Sequence, residues 1–532
     1  MTKNELFKRI SFIFLFIIST KDLNCFKCGS DKLKKKPGII KTAEDDSKRR
    51  LYTEYTNIKI IVDYSNFHQS SDIDSNTYNK IKNLIDETVK EFTKIIKVQH
   101  INIDLINGRS FIKNECQLNY LSSNYERYLI DNDLIIFPSL DYPLDDYIIA
   151  AANICLLSSN SYKPIAGNLY INKNYLTFKE GNSELYFKYI LLHEITHILI
   201  FHPLLLKSLK MITIKQNKDE ISILVNTTKV LEKAREHFDC NNLEGIPLEN
   251  QGGSGSAGFH WESRYMLGDY MISSDYEDIV ISDITLALFE DSGFYQVNYD
   301  YGGLFKFGKN KGCDFFNKKC KENGKVLFED EFCISDRKPM CTHSKTFKAE
   351  CHVYDYNQVI NPKYQYFDSP SQGGLPTTDF CPVADFDYSI NDDYFPTSCY
   401  AGKSNLPSEY GEKISSKSFC FISSLFPSSF NYDISLKAIC SEVECDRKNK
   451  RIIVNIGSSK VECPTEGGEI NPTGFKGELK CPKYSDICNF KDTKICNEIF
   501  ECLKKENESY GIENIIKIDY FLILLYILLL DV

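Results

Sequence analysis

At 532 residues the chain is too long for one compact core, so two or three domains are expected. Apolar residues at 42% and charged residues at 26% are ordinary for a globular protein and exclude a disordered or fibrous chain. A formal net charge of −10, diffuse rather than gathered in a tail, argues against a nucleic-acid binder, which needs a basic face to displace counterions.

Residues 1–20 place Lys3, Lys8 and Arg9 before an apolar run at 10–18, followed by Ser19 and Thr20. That is the charged front, short apolar middle and small-residue exit of a secretion signal. Residues 21–50 are polar and basic and end on Lys48-Arg49-Arg50. They read as a solvated linker or, more sharply, as a pro-segment cut near Arg50. Structured patterning starts at 58–63 (IKIIVD), a β-branched strand. Ile81, Leu84, Ile85, Val89, Phe92, Ile95 and Ile96 then form an apolar stripe at helical spacing over 76–98. Residues 134–137 (LIIF) read as a buried strand, and 169–171 as an edge strand.

Residues 184–201 (ELYFKYILLHEITHILIF) read as one helix, apolar over most of its surface and therefore buried, stopped by Pro203. Residues 206–250 are polar and mixed, and 252–256 (GGSGS) form a flexible loop. A second helix is expected over 279–291, closed by Ser292-Gly293. After Cys313 the composition shifts to Cys, Pro, Gly, Ser and Tyr with short β-like runs such as 451–456, the mark of a separate domain. No internal repeat recurs at a fixed period.

The 20 cysteines are unevenly placed: Cys25 and Cys28 at the front, Cys116, Cys155 and Cys240 through the middle, and 15 from Cys313 to Cys502. Their spacings lack paired knuckles with histidines, so disulfides in an oxidising compartment are expected rather than zinc ribbons. The ten apolar residues at 521–530 are short for a membrane span of about 20. They suit a removable lipid-anchor signal with Asn507, Ser509 or Gly511 as attachment point, or else a packed C-terminal helix.

His193-Glu194-Ile195-Thr196-His197 is an HExxH motif. On an α-helix four residues rotate by about 400°, so both imidazoles face one way, one turn apart. Two neutral nitrogens can then ligate one Zn²⁺, and Glu194 beside them can take a proton from the attacking water and return it to the leaving amine. Without a metal, two histidines and a glutamate in so apolar a helix would need other partners. A catalytic zinc wants three protein ligands and one open position. His202 lies nine residues after His193, about 900° of rotation, and faces away while the helix persists. His237 sits in a charged helical stretch and reads as solvated. His260 follows the glycine loop, beside the only tryptophan; spacing alone does not choose it firmly.

At these residues the sequence resembles leishmanolysin, the M8 family of metzincin metallopeptidases. That family's zinc helix reads HExxHxxGF and is interrupted by a long insertion before a GG-x-G-x-x-GSHWE-x-R segment carries the third ligand. Here residues 252–264 read GGSGSAGFHWESR, with Met271 at the place of the family's Met-turn methionine. Residues 281–295 (ISDITLALFEDSGFY) are similar to the family's S-x-x-TLA-x-LEDSGWY. Asp133 to Pro138, Cys155, Pro164-Ile165-Ala166-Gly167, Asp379-Phe380-Cys381-Pro382-Val383 and residues 474–482 (GFKGELKCP) resemble its other conserved stretches. The resemblance covers about residues 55–505.

It implies an α+β, metzincin-like catalytic unit whose zinc helix is interrupted by an insertion before the third ligand, followed by a disulfide-rich, β- and loop-rich C-terminal domain. The implied layout is a secretion signal at 1–20, a pro-segment at 21–50, an N-terminal catalytic domain at 51–202, a central domain at 203–312, a Cys-rich domain at 313–505 and a hydrophobic tail at 506–532. It also implies a zinc-dependent endopeptidase with one Zn²⁺ on His193, His197 and His260, Glu194 as general base and then acid, and Met271 supporting the site from below. Glu262 and Arg264 read as structural. Protein or peptide substrates are expected, with no nucleic acid, and a place outside the cell or on its outer face through a C-terminal lipid anchor, with a role in adhesion or in proteolysis of surface proteins.

Two departures stand out. Ile200 replaces the glycine where the family's chain turns out of the helix, and Cys28-Gly29-Ser30-Asp31 has Ser where the family's latency motif, Cys-x-His-Asp, has His. Cys28 is the candidate latency cysteine, with Cys25 as a rival. Removing both leaves 18 cysteines, an even number that can all pair. The rival classes are a surface pseudo-enzyme that keeps the zinc fold for adhesion and a purely structural disulfide protein; the complete ligand set opposes the first and residues 252–295 the second.

Overall fold

The computed structural model describes residues 36–488 apart from 41–53, 69–72, 102–107, 177–181, 252–256, 275–278, 386–397, 400–403, 431–436 and the short stretches 141, 146–147, 218–219, 304, 334, 405 and 416. Residues 1–20, expected to be a secretion signal, Cys25, Cys28, Lys48-Arg49-Arg50, the glycine loop and the hydrophobic tail lie outside the described residues. The chain divides into two compact units. The first comprises Met1–Tyr299, Gly308–Lys318 and Leu375–Phe380, and the second Asp300–Phe307, Lys319–Gly374 and Cys381–Val532.

The first unit is built on a five-stranded sheet of β1 (Gly38–Ile40), β2 (Ile60–Val62), β3 (Leu134–Ser139), β4 (Ala150–Ser158) and β5 (Pro164–Ile171), in the spatial order β1-β4-β5-β3-β2. β5 runs parallel to β3, and β3 to β2, whereas β4 is antiparallel to β5. β4 and β5 are buried along their whole length, because both faces of the sheet are covered. Residues 169–171 therefore belong to an interior strand and not to an edge. The outer neighbour of β4 is β1, which lies inside the expected pro-segment and pairs parallel to it, Gly38 opposite Leu156 and Ile40 opposite Ser158.

Helix α1 (Ser75–Ile95) starts at Asp74, whose carboxylate accepts the backbone N–H groups of Asn76 and Thr77. Its stripe of Ile81, Leu84, Ile85, Val89, Phe92 and Ile95 is buried as the spacing requires. The expected helix to Val98 ends early, because Ile96–Val98 turn extended and pair with Tyr295–Val297 and Thr56–Asn57.

Helix α2 (Asn182–Leu199) carries the HExxH motif and packs on β4, β5 and α1. Its approach to β5 is close: a Cβ on Gly167 would stand 2.5 Å from Cγ2 of Ile198. α2 ends at Leu199, and the N–H groups of both Ile200 and Phe201 reach back to the Thr196 carbonyl at 2.9 Å. This turn needs no left-handed residue, since Ile200 keeps a negative φ, so isoleucine is tolerated there. Pro203 then opens a new helix, α3 (Pro203–Ser208), at the N1 position that proline favours.

Residues 206–250, which read as mixed, contain a hairpin of β6 (Ile212–Asn217) and β7 (Glu220–Val225), then α4 (Thr228–Phe238). Helix α5 (Asp283–Asp291) begins four residues later than its apolar run, because the Ser282 side chain caps it by accepting the N–H of Thr285 at 3.1 Å. At its other end Asp291 accepts the N–H groups of Lys229 and Val230, pinning the start of α4. Gly293 follows in the left-handed conformation, φ +75°. Disulfides Cys116–Cys155 and Cys240–Cys313 lie in this unit.

The second unit holds a six-stranded antiparallel sheet of β8 (Ser418–Ser423), β9 (Lys437–Asp446), β10 (Arg451–Ile456), β11 (Ser459–Cys463), β12 (Gly468–Ile470) and β13 (Leu479–Cys481), ordered β11-β10-β9-β8-β13-β12. Ile452, Val454 and Ile456 alternate inward into a core with Phe421, Ile439 and Leu479. Among the described residues six disulfides staple the unit: Cys320–Cys381, Cys333–Cys351, Cys341–Cys420, Cys399–Cys440, Cys445–Cys488 and Cys463–Cys481. Every cysteine among the described residues is thus paired.

The contact at Gly167 is open to test. Gly167→Ala is expected to lower the melting temperature, at a cost of about 1–3 kcal/mol from overpacking against Ile198. Combined with Ile198→Ala, which clears the space, the pair should cost less than the sum of the two single losses, as read from thermal melts.

Candidate metal centre

The last two turns of α2 aim His193 and His197 to one side, and a segment from a distant part of the unit brings His260 to meet them. That segment is held on both flanks. Glu249 N–H donates to the His260 carbonyl at 2.9 Å, and Trp261 N–H donates to the Met271 carbonyl at 2.9 Å. Trp261 is fully buried, and its ring meets Phe201 edge-on at 4.9 Å, joining the segment to the turn that follows α2.

Nε2 of His193 lies 3.0 Å from Nε2 of His197 and 3.1 Å from Nε2 of His260. His197 and His260 are fully buried, and His193 is partly exposed. The far side of two rings fixes their tautomers. Nδ1 of His193 donates to the Tyr270 carbonyl at 2.6 Å, and Nδ1 of His197 donates to the Phe201 carbonyl at 2.7 Å. A carbonyl oxygen can only accept, so each Nδ1 carries the proton and each Nε2 presents a lone pair. Burial pushes the His193 imidazole down to about 4. Burial, then the neighbouring His193 and His260, holds His197 well below the ordinary histidine range. Neutral imidazoles with converging lone pairs fit a soft or borderline metal ion. Among the described residues these three form the one group of His, Cys, Asp and Glu side chains gathered closely enough to hold one. Glu194 is buried on the same helix.

Residues 71–494 match the Peptidase M8 family model, whose description is leishmanolysin. The chain belongs to the leishmanolysin family. Leishmanolysin of Leishmania chagasi is 27% identical over 376 residues, 68% of this chain and 60% of that protein. A leishmanolysin homolog of Crithidia fasciculata is 27% identical over 376 residues and 56% of its own length. A leishmanolysin-like peptidase of Caenorhabditis elegans is 35% identical over 190 residues, 31% of this chain and 29% of that protein. The chain thus spans 60% or less of the length of these relatives. The family resemblance seen in residues 252–295 is borne out.

The leishmanolysin-family motifs fall around the histidine cluster. Met271 is fully buried and follows Tyr270, the residue whose carbonyl receives His193. Glu262 caps a single helical turn, Ser263–Met266, accepting the Arg264 N–H. Arg264 is buried, its guanidinium 5.0 Å from the rings of both Tyr265 and Phe315. His237 is half-buried rather than solvated, its ring edge-on to Phe238 at 4.6 Å. His202 stands apart from the cluster and caps α3, its Nδ1 accepting the Leu204 N–H at 3.1 Å.

Sequence reasoning missed the residues that hold the three histidines in place. The Tyr270 and Phe201 carbonyls leave no trace in a sequence, because any residue offers the same oxygen. Thr196 and Tyr270 are joined through their hydroxyls at 2.9 Å, and Asp269 and Thr285 at 2.7 Å. These side chains lie inside or beside recognised motifs, and only their partners were hidden.

His202 supplies a pH test. Burial pushes its imidazole down to about 4, below the ordinary 6.5. Between these values the unfolded chain takes up a proton that the folded chain refuses, so stability is lost as pH falls from 6.5 towards 4. His202→Asn keeps a capping oxygen and removes this titration. Metal-free variant protein should lose less stability over that interval than the parent, by up to about 3 kcal/mol, as read from denaturant melts at pH 7 and pH 4.5.

Proposed function

We propose that this protein is a zinc-dependent endopeptidase acting outside the cell. The observation that carries the reading is the meeting of three imidazole Nε2 atoms, those of His197 and His260 standing 3.0 and 3.1 Å from that of His193, with buried Glu194 next to His193 on the same helix. Family membership supports it, since the related proteins carry the names leishmanolysin and leishmanolysin-like peptidase. His193, His197 and His260 would hold the ion through Nε2, leaving a fourth position for water or substrate. Zinc in that place would lower the pKa of water to about 7 and polarise the scissile carbonyl. Glu194 would take the proton of the attacking water on its carboxylate and return it to the leaving amine. The Tyr270 and Phe201 carbonyls keep His193 and His197 in the tautomer that binds. Proteins and peptides are the substrates this chemistry serves.

An extracellular or surface location is supported by the charged and apolar pattern of residues 1–20 and by eight disulfides, which persist in oxidising compartments. Attachment through a lipid anchor rests on the apolar run at 521–530.

Glu194 binds no metal in this scheme. Glu194→Ala should therefore keep near-stoichiometric zinc and lose casein cleavage by about 100- to 10,000-fold, whereas His260→Ala should lose both. Retention of metal and activity in His260→Ala, with both lost in His202→Ala, would show that the third ligand is misassigned.

Residues 21–50 are the proposed pro-segment, with the Cys28 thiolate in the fourth position of the metal as the blocking group. Uncut precursor should be inactive and woken by thiol-modifying reagents, and Cys28→Ser precursor should cleave casein without processing. A Cys28→Ser precursor as inert as the parent, with Cys25→Ser equally silent, removes the thiol from the scheme.

A further inference from the structure

A buried carboxylate outside the proposed ligand set ties together the two loops on which the ligands depend. Asp269 is fully buried, and Oδ1 accepts the Met271 N–H at 2.7 Å. That bond fixes the turn in which Tyr270 points its carbonyl at His193 Nδ1. Oδ2 of the same side chain accepts the Thr285 hydroxyl at 2.7 Å. Thr285 has only one proton to give, so its oxygen is left as an acceptor, and the indole N–H of Trp261 fills it at 2.8 Å. Trp261 is the residue next to His260, and its own backbone N–H meets the Met271 carbonyl. The order of donors along this chain is forced: an indole nitrogen can only donate and an ionised carboxylate can only accept.

We propose that Asp269 is a positioning residue of the metal centre, acting through Met271 N–H and Tyr270 on His193, and through Thr285 and Trp261 on His260. This rests on the reading that the three histidines hold a metal. Asp269 touches neither metal nor substrate; it sets where two of the three Nε2 atoms stand. Loss of such outer partners of a metal site typically weakens metal binding by 10- to 100-fold. Thr285 is the sharpest place to cut the chain. Valine matches its shape and removes the hydroxyl, whereas serine keeps the hydroxyl and removes the methyl.

The test compares full-length parent, Thr285→Val and Thr285→Ser, each loaded with Co²⁺ in place of zinc. Release of the ion to excess chelator is timed, and the visible spectrum of the bound ion reports ligand geometry. Emission of Trp261, the only tryptophan in the chain, reports independently whether the indole has lost its partner. The expected result is release about 10-fold faster or more in Thr285→Val with an altered visible spectrum, and parent-like behaviour within about 2-fold in Thr285→Ser. Ile136→Val, a core change in β3 remote in sequence from these loops, should lower the melting temperature and leave release and spectrum unchanged. Should Thr285→Val fail to fold, Thr285→Ala removes the hydroxyl as well as the methyl that Thr285→Ser also lacks, and release faster than in Thr285→Ser is expected there too. Parent-like release and spectrum in Thr285→Val, with Trp261 emission shifted, overturn the proposal. So does equal loss in Thr285→Ser and Thr285→Val. A parent that takes up no Co²⁺ or zinc overturns the metal reading itself, which sets that failure apart from the others.

Discussion

Two imidazole nitrogens whose lone pairs turn towards one point repel one another, a third ring closes on them, and burial removes the water that would relieve them. His197 and His260 are fully buried, and their Nε2 atoms stand 3.0 and 3.1 Å from that of His193. A positive ion placed between them would turn this conflict into attraction. The arrangement exists because the rings are gripped from behind by carbonyl oxygens, which commit the protons of His193 and His197 to Nδ1. Everything else near the site serves that grip: the turn after α2 supplies Phe201, and the turn before Met271 supplies Tyr270.

The scaffold makes the same demand one layer further out. α2 is apolar over most of its surface, so it must be covered on several sides, and it lies on β4, β5 and α1. Gly167 lets it approach β5 more closely than any side chain would allow. A helix seated so tightly cannot slide or rotate, which fixes His193 and His197 independently of His260. His260 depends on a different device, a short segment bridged on one flank to Leu248 and on the other to Ile272 through Trp261. That segment has little regular structure of its own, and isolated backbone bonds on its two flanks, with the Trp261 indole bonded to Thr285, replace the ladder a longer strand would have.

The second unit solves the stability problem differently. Several of its strands are only two to six residues long, around a core that includes Phe421, Ile439, Val454 and Leu479. Six disulfides close loops whose ends are 18 to 79 residues apart in sequence. In the chain-entropy account each removes roughly 3–4.5 kcal/mol of disorder from the unfolded chain. Cross-links of this kind add to what burial supplies in so loop-rich a chain.

What the sequence determined by itself was local and periodic. The HExxH spacing placed His193 and His197 on one face, because the rotation per residue is a property of the helix and needs no partner. The stripe of α1 and the cysteine-rich composition after Cys313 were legible for the same reason. His260 was legible only through the family resemblance of the segment around it, since no periodicity connects it to α2. What the tertiary structure decided was pairing. Residues 169–171 lie inside the sheet because β4 covers them, an arrangement that a strand's own sequence does not state. The ends of α1 and the start of α5 shifted because Ile96 found a strand to join and Ser282 capped the next helix, and tertiary partners outbid continuing periodicity. Ile200 ended α2 without a glycine because the turn there keeps a negative φ. The carbonyls behind the histidines and the bond from Trp261 to Thr285 could be found only in three dimensions. A backbone oxygen is common to every residue, and a hydrogen bond between positions 24 residues apart leaves no mark on either position's neighbours in sequence.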